Sequence, residues 1–206
     1  MVGVRADDEA PAGLRERKKR ETREALSWAV IRLSVERGWD NVTVADVAAA
    51  ANVSERTFRN YFANKAEAVA ARHLDRMLRV ADELRGRPAD EPLWEAITSS
   101  VVSQFAGGQP QSKHWTDAVQ LILTEPDVER GFVRAAETAQ RELAAVVAER
   151  TGTDVAGELY PTLVAAAAGA AITTSMEYWL RADPPVSIEG LIREAFDRLR
   201  AGLPVP

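Results

Sequence analysis

Apolar side chains recur three and four residues apart along almost the whole chain, the spacing that places them on one face of a helix. The β-branched alternation that predicts strands is scarce, and prolines fall at apparent helix boundaries. The pattern therefore predicts an all-α fold of about nine helices. The expected helices cover residues 14–37, 43–51, 54–61, 65–85, 93–105, 114–123, 127–150, 155–181 and 188–201.

The stretch 43–65 predicts two short helices joined by a tight turn. Thr43, with Asp46 three residues later, has the pattern of a capping box, and Ser54 offers a second N-cap. Asn52 lies at the turn, where asparagine tolerates a left-handed backbone. The second helix has an apolar side of Val53, Phe58, Tyr61 and Phe62 and a polar side of Glu55, Arg56, Thr57, Arg59 and Asn60. This arrangement is a helix-turn-helix, whose second helix can lie in the major groove of DNA.

The predicted helices group into a small head and a larger body. Residues 1–13 are acidic, contain Pro and Gly and lack periodicity, so we expect them to be disordered. Residues 14–64 form the helix-turn-helix head, and a connecting helix follows at 65–85. The turn-forming sequence GRPADEP then opens the body, residues 86–206.

The helix-turn-helix stretch resembles the DNA-binding signature of the TetR family of transcriptional repressors. The similarity consists of a Thr-Val start at Thr43, the Ala-Ala-x-Val-Ser turn that ends at Ser54, Thr57-Phe58, and Tyr61-Phe62-x-x-Lys65. Combined with Asn60 and Asn64, these residues also resemble actinobacterial members related to the mycofactocin-cluster regulator. Asn52 replaces the usual Gly, and Arg59 replaces a usual aromatic residue, so the base preference of relatives does not transfer to this chain.

The resemblance implies a dimeric, ligand-responsive repressor with a helical effector-binding and dimerisation body. Residues 161–180 are apolar on more than one face and, with 188–201, would form a four-helix interface between two subunits. The alternative is that these helices form only the core of one subunit. The implied effector is a small apolar or amphipathic molecule, and the mycofactocin-cluster branch suggests a fatty acyl-CoA.

Charge is distributed unevenly along a chain of net charge −5. Residues 1–85 contain sixteen Lys and Arg against fourteen Asp and Glu, whereas residues 86–206 contain ten against seventeen. A mildly basic head on an acidic body fits a protein that touches phosphates at one end only, although uneven charge alone does not establish it. The absence of Cys excludes disulfides and thiol chemistry and is typical of a cytoplasmic protein.

The residue types in the head predict two kinds of DNA contact. Hydroxyls, helix N-termini and cations suit phosphate oxygens, whereas Arg, Asn and Thr can read base edges. Glu55 either accepts from a cytosine amino group or favours the positive helix start. The predicted phosphate contacts are Arg15, Lys18, Lys19, Thr43, Ser54, Tyr61 and Lys65, and the predicted base contacts are Arg56, Thr57, Arg59 and Asn60.

Aromatic side chains in the body are candidates for an apolar effector pocket with a few polar groups. The predicted lining is Trp94, Phe105, His114, Trp115, Phe132, Met176, Tyr178 and Trp179. The alternative is that these residues are ordinary core. His73, beside the apolar side of the connecting helix, is interpreted as structural because no metal-ligand spacing accompanies it.

Other classes of function find little support in the sequence. With two histidines, no thiol, no nucleophile elbow and no P-loop, catalysis is not expected, nor is a cofactor or a metal. No apolar run approaches the length that spans a membrane, so we expect no membrane partner. The remaining alternative is a constitutive or architectural DNA-binding protein without an effector.

Overall fold

The computed structural model describes residues 9–106 and 113–205, and side chains within 13–106 and 116–205. The described residues form α-helices and no strand, which confirms the all-α prediction. The helices are α1 (Glu9–Arg37), α2 (Val44–Ala50), α3 (Glu55–Tyr61), α4 (Lys65–Gly86), α5 (Leu93–Ser103), α6 (Lys113–Leu123), α7 (Pro126–Thr151), α8 (Leu159–Arg181) and α9 (Ile188–Arg200), with a 3-10 helix at Trp39–Asn41.

Two helices begin elsewhere than predicted. The first includes residues 9–13, predicted to be disordered, because a proline in the first turn of a helix removes no hydrogen bond. The rest of that predicted tail, and the helix stop predicted at 107–112, lie outside the described residues. Helix α8 begins at Leu159 rather than near Val155, since the Asp154 carboxylate accepts from the Ala156 N–H at 3.1 Å and holds a turn there.

The chain forms two compact units that divide between Arg72 and His73, inside α4 and therefore inside the predicted connecting helix. We call them the head unit and the body unit. The head unit is built around buried apolar side chains of α1 to α4, among them Leu26, Val30, Leu33, Val47, Phe58 and Phe62. The body unit has its own core, to which α4, α5, α7, α8 and α9 contribute.

Helix α8 is long and apolar enough to cross a membrane by length and composition alone, contrary to the expectation from the sequence. One face of it packs into the core of the body unit through Val164, Ala168 and Ile172. A core helix of a soluble protein has the same composition. Only 39% of its most apolar stretch is buried, however, so α8 also presents apolar residues outward.

The Arg150 side chain joins α7 to the end of α4. Its guanidinium donates hydrogen bonds to four main-chain carbonyls, which belong to Leu84 (3.2 Å), Arg87 (3.0 Å), Pro88 (2.8 Å) and Glu91 (3.3 Å). The carbonyls at the end of a helix lack partners within that helix, so Arg150 caps α4 from a distant part of the chain. Beside it, two hydrogen bonds of 2.6 Å from Arg87 to Glu91 lower the pKa of the Glu91 carboxyl.

We expect Arg150→Met to lower the free energy of unfolding by about 2–3 kcal/mol, because hydrogen bonds from a charged donor contribute about 1.5–3 kcal/mol each and these are partly exposed. The measurement is chemical denaturation followed by circular dichroism. The matched control is Arg134→Met, because Arg134 is an exposed arginine of the same helix whose hydrogen bonds to described residues stay within that helix. It should change stability by less than about 0.5 kcal/mol. Equal effects of the two substitutions would remove the capping role.

Candidate functional site

The head unit contains the predicted helix-turn-helix, and its first helix begins as the sequence predicts. The Thr43 hydroxyl accepts from the Asp46 N–H at 3.2 Å, and the Asp46 carboxylate accepts from the Thr43 N–H at 2.9 Å. These two bonds form the predicted capping box. Hydrogen bonds from the Thr43 side chain and main chain lower the pKa of Asp46.

The turn and the start of α3 also follow the sequence. Asn52 has a φ of 54°, the left-handed conformation expected at this position. The Val53 N–H donates to the Ala48 carbonyl at 2.9 Å and closes the turn. Ser54 then caps α3, its hydroxyl accepting from the Thr57 N–H at 3.0 Å. Local hydrogen bonds therefore determine the angle at which α3 leaves α2.

Two phenylalanines hold α3 against the head core and determine which side faces outward. Phe58 is 0% exposed and Phe62 is 1% exposed, with ring centroids 5.7 Å apart. The guanidinium of Arg23 lies 4.8 Å from the Phe62 ring centroid. Because this face is buried, the opposite side of α3 is exposed, and it carries Glu55, Arg56, Arg59 and Asn60.

Some side chains on this outward face already contact other residues of the chain, and others do not. Arg59 lies 3.5 Å from the Glu55 carboxylate, and the Thr57 hydroxyl lies 2.9 Å from that of Ser54. Arg56 and Asn60 make no side-chain hydrogen bond or ion pair with any residue that the structure describes. Arg56 is therefore the arginine of α3 most available to a partner.

The cations predicted on α1 also lie on the surface. Arg15, Lys18 and Lys19 are exposed, and only Lys19 has an acidic neighbour within the described residues, Glu16 at 3.9 Å. Tyr61 is half-buried, with its ring centroid 6.3 Å from that of Phe62. Their contacts with DNA stay predictions.

Lys65 has an internal position that its sequence context does not reveal. Its ammonium group donates to the carbonyls of Trp39 and Val42, the second at 3.1 Å, and lies 4.2 Å from the Trp39 ring centroid. The 3-10 helix at Trp39–Asn41 and the start of α4 are thereby joined. A phosphate contact by Lys65, which stays a prediction, would have to share this ammonium group.

The aromatic residues that were predicted to line an effector pocket, and whose side chains the structure describes, are dispersed through the body unit. Trp94 packs against Phe196 with ring centroids 6.2 Å apart, and Phe105 is buried beneath Arg76. Phe132 stacks on His73 at 5.0 Å. These contacts fit the alternative that aromatic residues at helical spacing belong to packed cores.

The other predicted lining residues with described side chains lie in different surroundings. Met176 and Trp179 are half-buried, and Met176 packs against the core. Tyr178 is 62% exposed and lines a surface hollow of about 490 Å³ near Arg181 and Leu191. The predicted side chains of His114 and Trp115 lie outside the described residues.

A cavity of about 140 Å³ lies instead between α4, α7 and α8, and its lining includes none of the predicted pocket residues whose side chains the structure describes. We call it the inner cavity. Its lining is His73, Met77 and Val80 from α4, Ala136, Ala139, Gln140 and Leu143 from α7, and Ala165, Ala166, Gly169, Ala170, Ile172 and Thr173 from α8. The signal that sequence reasoning missed is the run of Ala and Gly in α8, whose small side chains leave space beside the neighbouring helices.

His73 gives the inner cavity an unusual polar group. Burial, and then the nearby charge of Arg76, lowers the pKa of the imidazole to about 4, so His73 is neutral at pH 7. Gln140, Thr173 and the imidazole nitrogens of His73 make no hydrogen bond with any residue that the structure describes. Within those residues, no cluster of acidic or histidine side chains could hold a metal ion.

Comparisons with known proteins match both units. Residues 29–71 match the family described as bacterial regulatory proteins, tetR family, and residues 91–204 match the family described as the MftR C-terminal domain. The chain is 29% identical over 204 residues to the HTH-type transcriptional regulator TcmR of Streptomyces glaucescens, with 93% of this chain and 88% of that protein covered.

Two further proteins are similar over nearly the whole length. The putative mycofactocin biosynthesis transcriptional regulator MftR of Mycobacterium tuberculosis is 25% identical over 191 residues, with 91% of this chain and 93% of that protein covered. The structure of Thermus thermophilus FadR, a TetR family transcriptional repressor in complex with lauroyl-CoA, has a TM-score of 0.54 and 20% identity, with 89% of this chain and 96% of that chain covered. With both units matched, the chain belongs to the TetR family of transcriptional regulators and is not an enzyme.

Proposed function

We propose that this regulator is a homodimeric repressor that binds a two-fold symmetric operator through α3 and leaves it when a small effector enters the body unit. The outward polar face of α3 is the observation that supports this proposal most directly. Phe58 and Phe62 fix that face on the head core, and Arg56 on it has no partner among the described residues. A regulator that acts on chromosomal DNA would work in the cytoplasm.

The exposed side of α8 supports the dimer. Its outward residues, spaced three and four apart, form a row with tyrosines at both ends and small side chains in the middle. We call this row the dimer stripe, and it consists of Tyr160, Leu163, Ala167, Ala170, Thr174 and Tyr178. Small residues let a second helix approach closely, and two-fold pairing would place two recognition helices about 34–36 Å apart, one turn of DNA.

The effector site that we propose is the inner cavity. Helix α4 supplies the His73, Met77 and Val80 side chains of this cavity. Eight residues before His73 the same helix begins at Lys65, inside the head unit, where Lys65 donates to the Val42 carbonyl. A ligand that displaces α4 would therefore act on both units through one continuous helix. Because each ~1.4 kcal/mol changes affinity tenfold, a difference of a few kcal/mol between two states is enough to release an operator. The lauroyl-CoA in Thermus thermophilus FadR makes an acyl-CoA one effector to test.

Arg56→Ala is the substitution that tests the DNA-binding part of the proposal. Footprinting on the DNA that flanks the protein's own gene supplies the operator, and fluorescence anisotropy then measures affinity for it and for single-base variants. We expect a loss of about 1–3 kcal/mol and relaxed discrimination at one position of each half-site, because a bidentate arginine contact to guanine has that value. Arg32→Ala, an exposed arginine on α1 paired with Glu36, is the control and should bind normally.

Two other results of the Arg56→Ala measurement would lead to different conclusions. Equal weakening on every sequence would make Arg56 a phosphate contact, whereas unchanged affinity would show that Arg56 does not contact the operator. A panel of small molecules, followed by the fluorescence of half-buried Trp94 and Trp179, tests the effector. An operator complex that no bound molecule releases would favour a constitutive regulator.

A further inference from the structure

A second space on the surface of the body unit shares a lining side chain with the inner cavity. A second hollow of about 390 Å³, which we call the outer hollow, is lined by Glu137, Gln140, Arg141, Ala144, Val155 and Thr162. Gln140 lines both spaces. On α8, Thr162, Ala166, Gly169 and Thr173 follow one another three or four residues apart and line the two spaces in turn. The two spaces are therefore sections of one groove between α7 and α8, divided at Gln140.

The inner section has the size and chemistry for a compact, uncharged group. A cavity of about 150 Å³ lined by apolar side chains binds a molecule as large as benzene. The hydrogen-bonding groups of His73, Gln140 and Thr173 have no partner among the described residues, and a neutral imidazole offers one donor and one acceptor. Among the described residues that line this section, none is a Lys or Arg that could balance a charged ligand.

The outer section suits an apolar extension. Ala144 and the 43% exposed side chain of Val155 present apolar surface there, and the stems of Glu137 and Arg141 add to it. The described residues that line this section carry one carboxylate and one guanidinium, so their charges cancel. Together the two sections reach the size range of pockets that hold drug-sized ligands, about 300–1,000 Å³, which the inner cavity alone does not.

We propose that Gln140 determines effector specificity at the junction of the two sections, an inference that rests on the proposed function. The effector is an uncharged, elongated molecule. Its compact end carries a hydroxyl or carbonyl and lies among His73, Gln140 and Thr173, and its apolar arm passes Gln140 to reach Ala144 and Val155.

The affinities of two phenols, one without and one with an apolar arm, test the two sections separately. Phenol and 4-hexylphenol are neutral at pH 7, because a phenolic hydroxyl has a pKa of about 10. We expect isothermal titration calorimetry with the full chain to show that 4-hexylphenol binds at least tenfold more tightly than phenol, since its arm buries several methylenes. Gln140→Leu removes the hydrogen bond between the Gln140 amide and the phenolic hydroxyl but leaves the space between the two sections open. It should weaken the binding of both phenols about tenfold and leave the ratio of their affinities unchanged.

Gln140→Trp, which fills the passage, should instead abolish the preference for 4-hexylphenol, while Glu142→Trp, on the exposed side of the same helix, should preserve it. An unchanged ratio in Gln140→Trp would overturn the inference. So would tighter binding of lauroyl-CoA than of 4-hexylphenol by the unsubstituted chain, or no binding of either phenol by a chain that still binds its operator. Phenols that bind as expected but leave the operator complex intact would contradict the ligand-responsive function and not the groove.

Discussion

Replacement of Ala167 by arginine is expected to convert the protein into a monomer that no longer forms a stable complex with a full operator. Ala167 lies in the middle of the dimer stripe, between Leu163 and Ala170. In a two-fold interface each substitution occurs twice, and near the axis the two new guanidinium groups would face each other. The two like charges would lose water, and the two α8 helices could no longer approach closely. The dimer dissociation constant should therefore rise at least ~100-fold, or ~2.8 kcal/mol.

Sedimentation equilibrium across a concentration series measures this effect directly, and operator affinity is measured in parallel. Ala89→Arg places the same side chain in the exposed turn between α4 and α5 and is the matched control. The control should remain dimeric and bind DNA normally. A dimeric Ala167→Arg protein would show that α8 pairs through another face or not at all, whereas a monomer with full operator affinity would separate DNA binding from dimerisation.

The sequence predicts best those features of the fold that depend on neighbouring residues. The Thr43 and Ser54 caps, the left-handed Asn52 and the Asn64 cap of α4, which accepts from the Glu67 N–H at 2.8 Å, all involve partners three or four residues apart. Helical periodicity likewise predicts which side of α3 is buried. The candidate DNA-binding face could therefore be described almost completely before its structure was known.

Features that join distant residues could not be predicted in this way. Lys65 bonds to carbonyls 23 and 26 residues before it, and Arg150 bonds to carbonyls 59 to 66 residues before it. A lysine or arginine on the surface and one that bonds to distant carbonyls are the same residue types in the sequence. Helical spacing therefore does not show which of the two roles such a residue has. Only the tertiary arrangement brings these cations to the ends of other segments.

The effector-binding residues predicted from the sequence stay a prediction, and the structure shows a physical reason to look elsewhere for the site. The prediction assumed that large aromatic side chains line a pocket, yet large side chains fill space, and Trp94 and Phe105 pack into the core. Space remains where side chains are small, beside Gly169 and its alanine neighbours on α8. His73 then acquires significance from the cavity beside it, although nothing in its sequence context distinguishes it from a structural histidine.

Phe58→Ala is expected to abolish operator binding although Phe58 lies on the side of α3 opposite the predicted DNA contacts. The ring is completely buried beneath α3, and truncation of a buried phenylalanine costs about 3–5 kcal/mol. A unit of about 60–70 residues buries little surface and has little stability to lose. We therefore expect the head unit to unfold in a large fraction of molecules, with at least a ~100-fold loss of operator affinity.

The body unit distinguishes this effect from general misfolding. Phe58 is not part of the core of the body unit. We therefore expect the Phe58→Ala protein to retain dimerisation and ligand binding, while circular dichroism shows a partial loss of helix. Phe58→Leu, which keeps most of the buried volume, should cost about 1–1.5 kcal/mol and retain most of the operator affinity. If Phe58→Ala bound the operator normally, the orientation of Arg56 and Asn60 would not depend on the packing beneath α3. The face that we assign to DNA would then lack the rigid support on which its readout of bases relies.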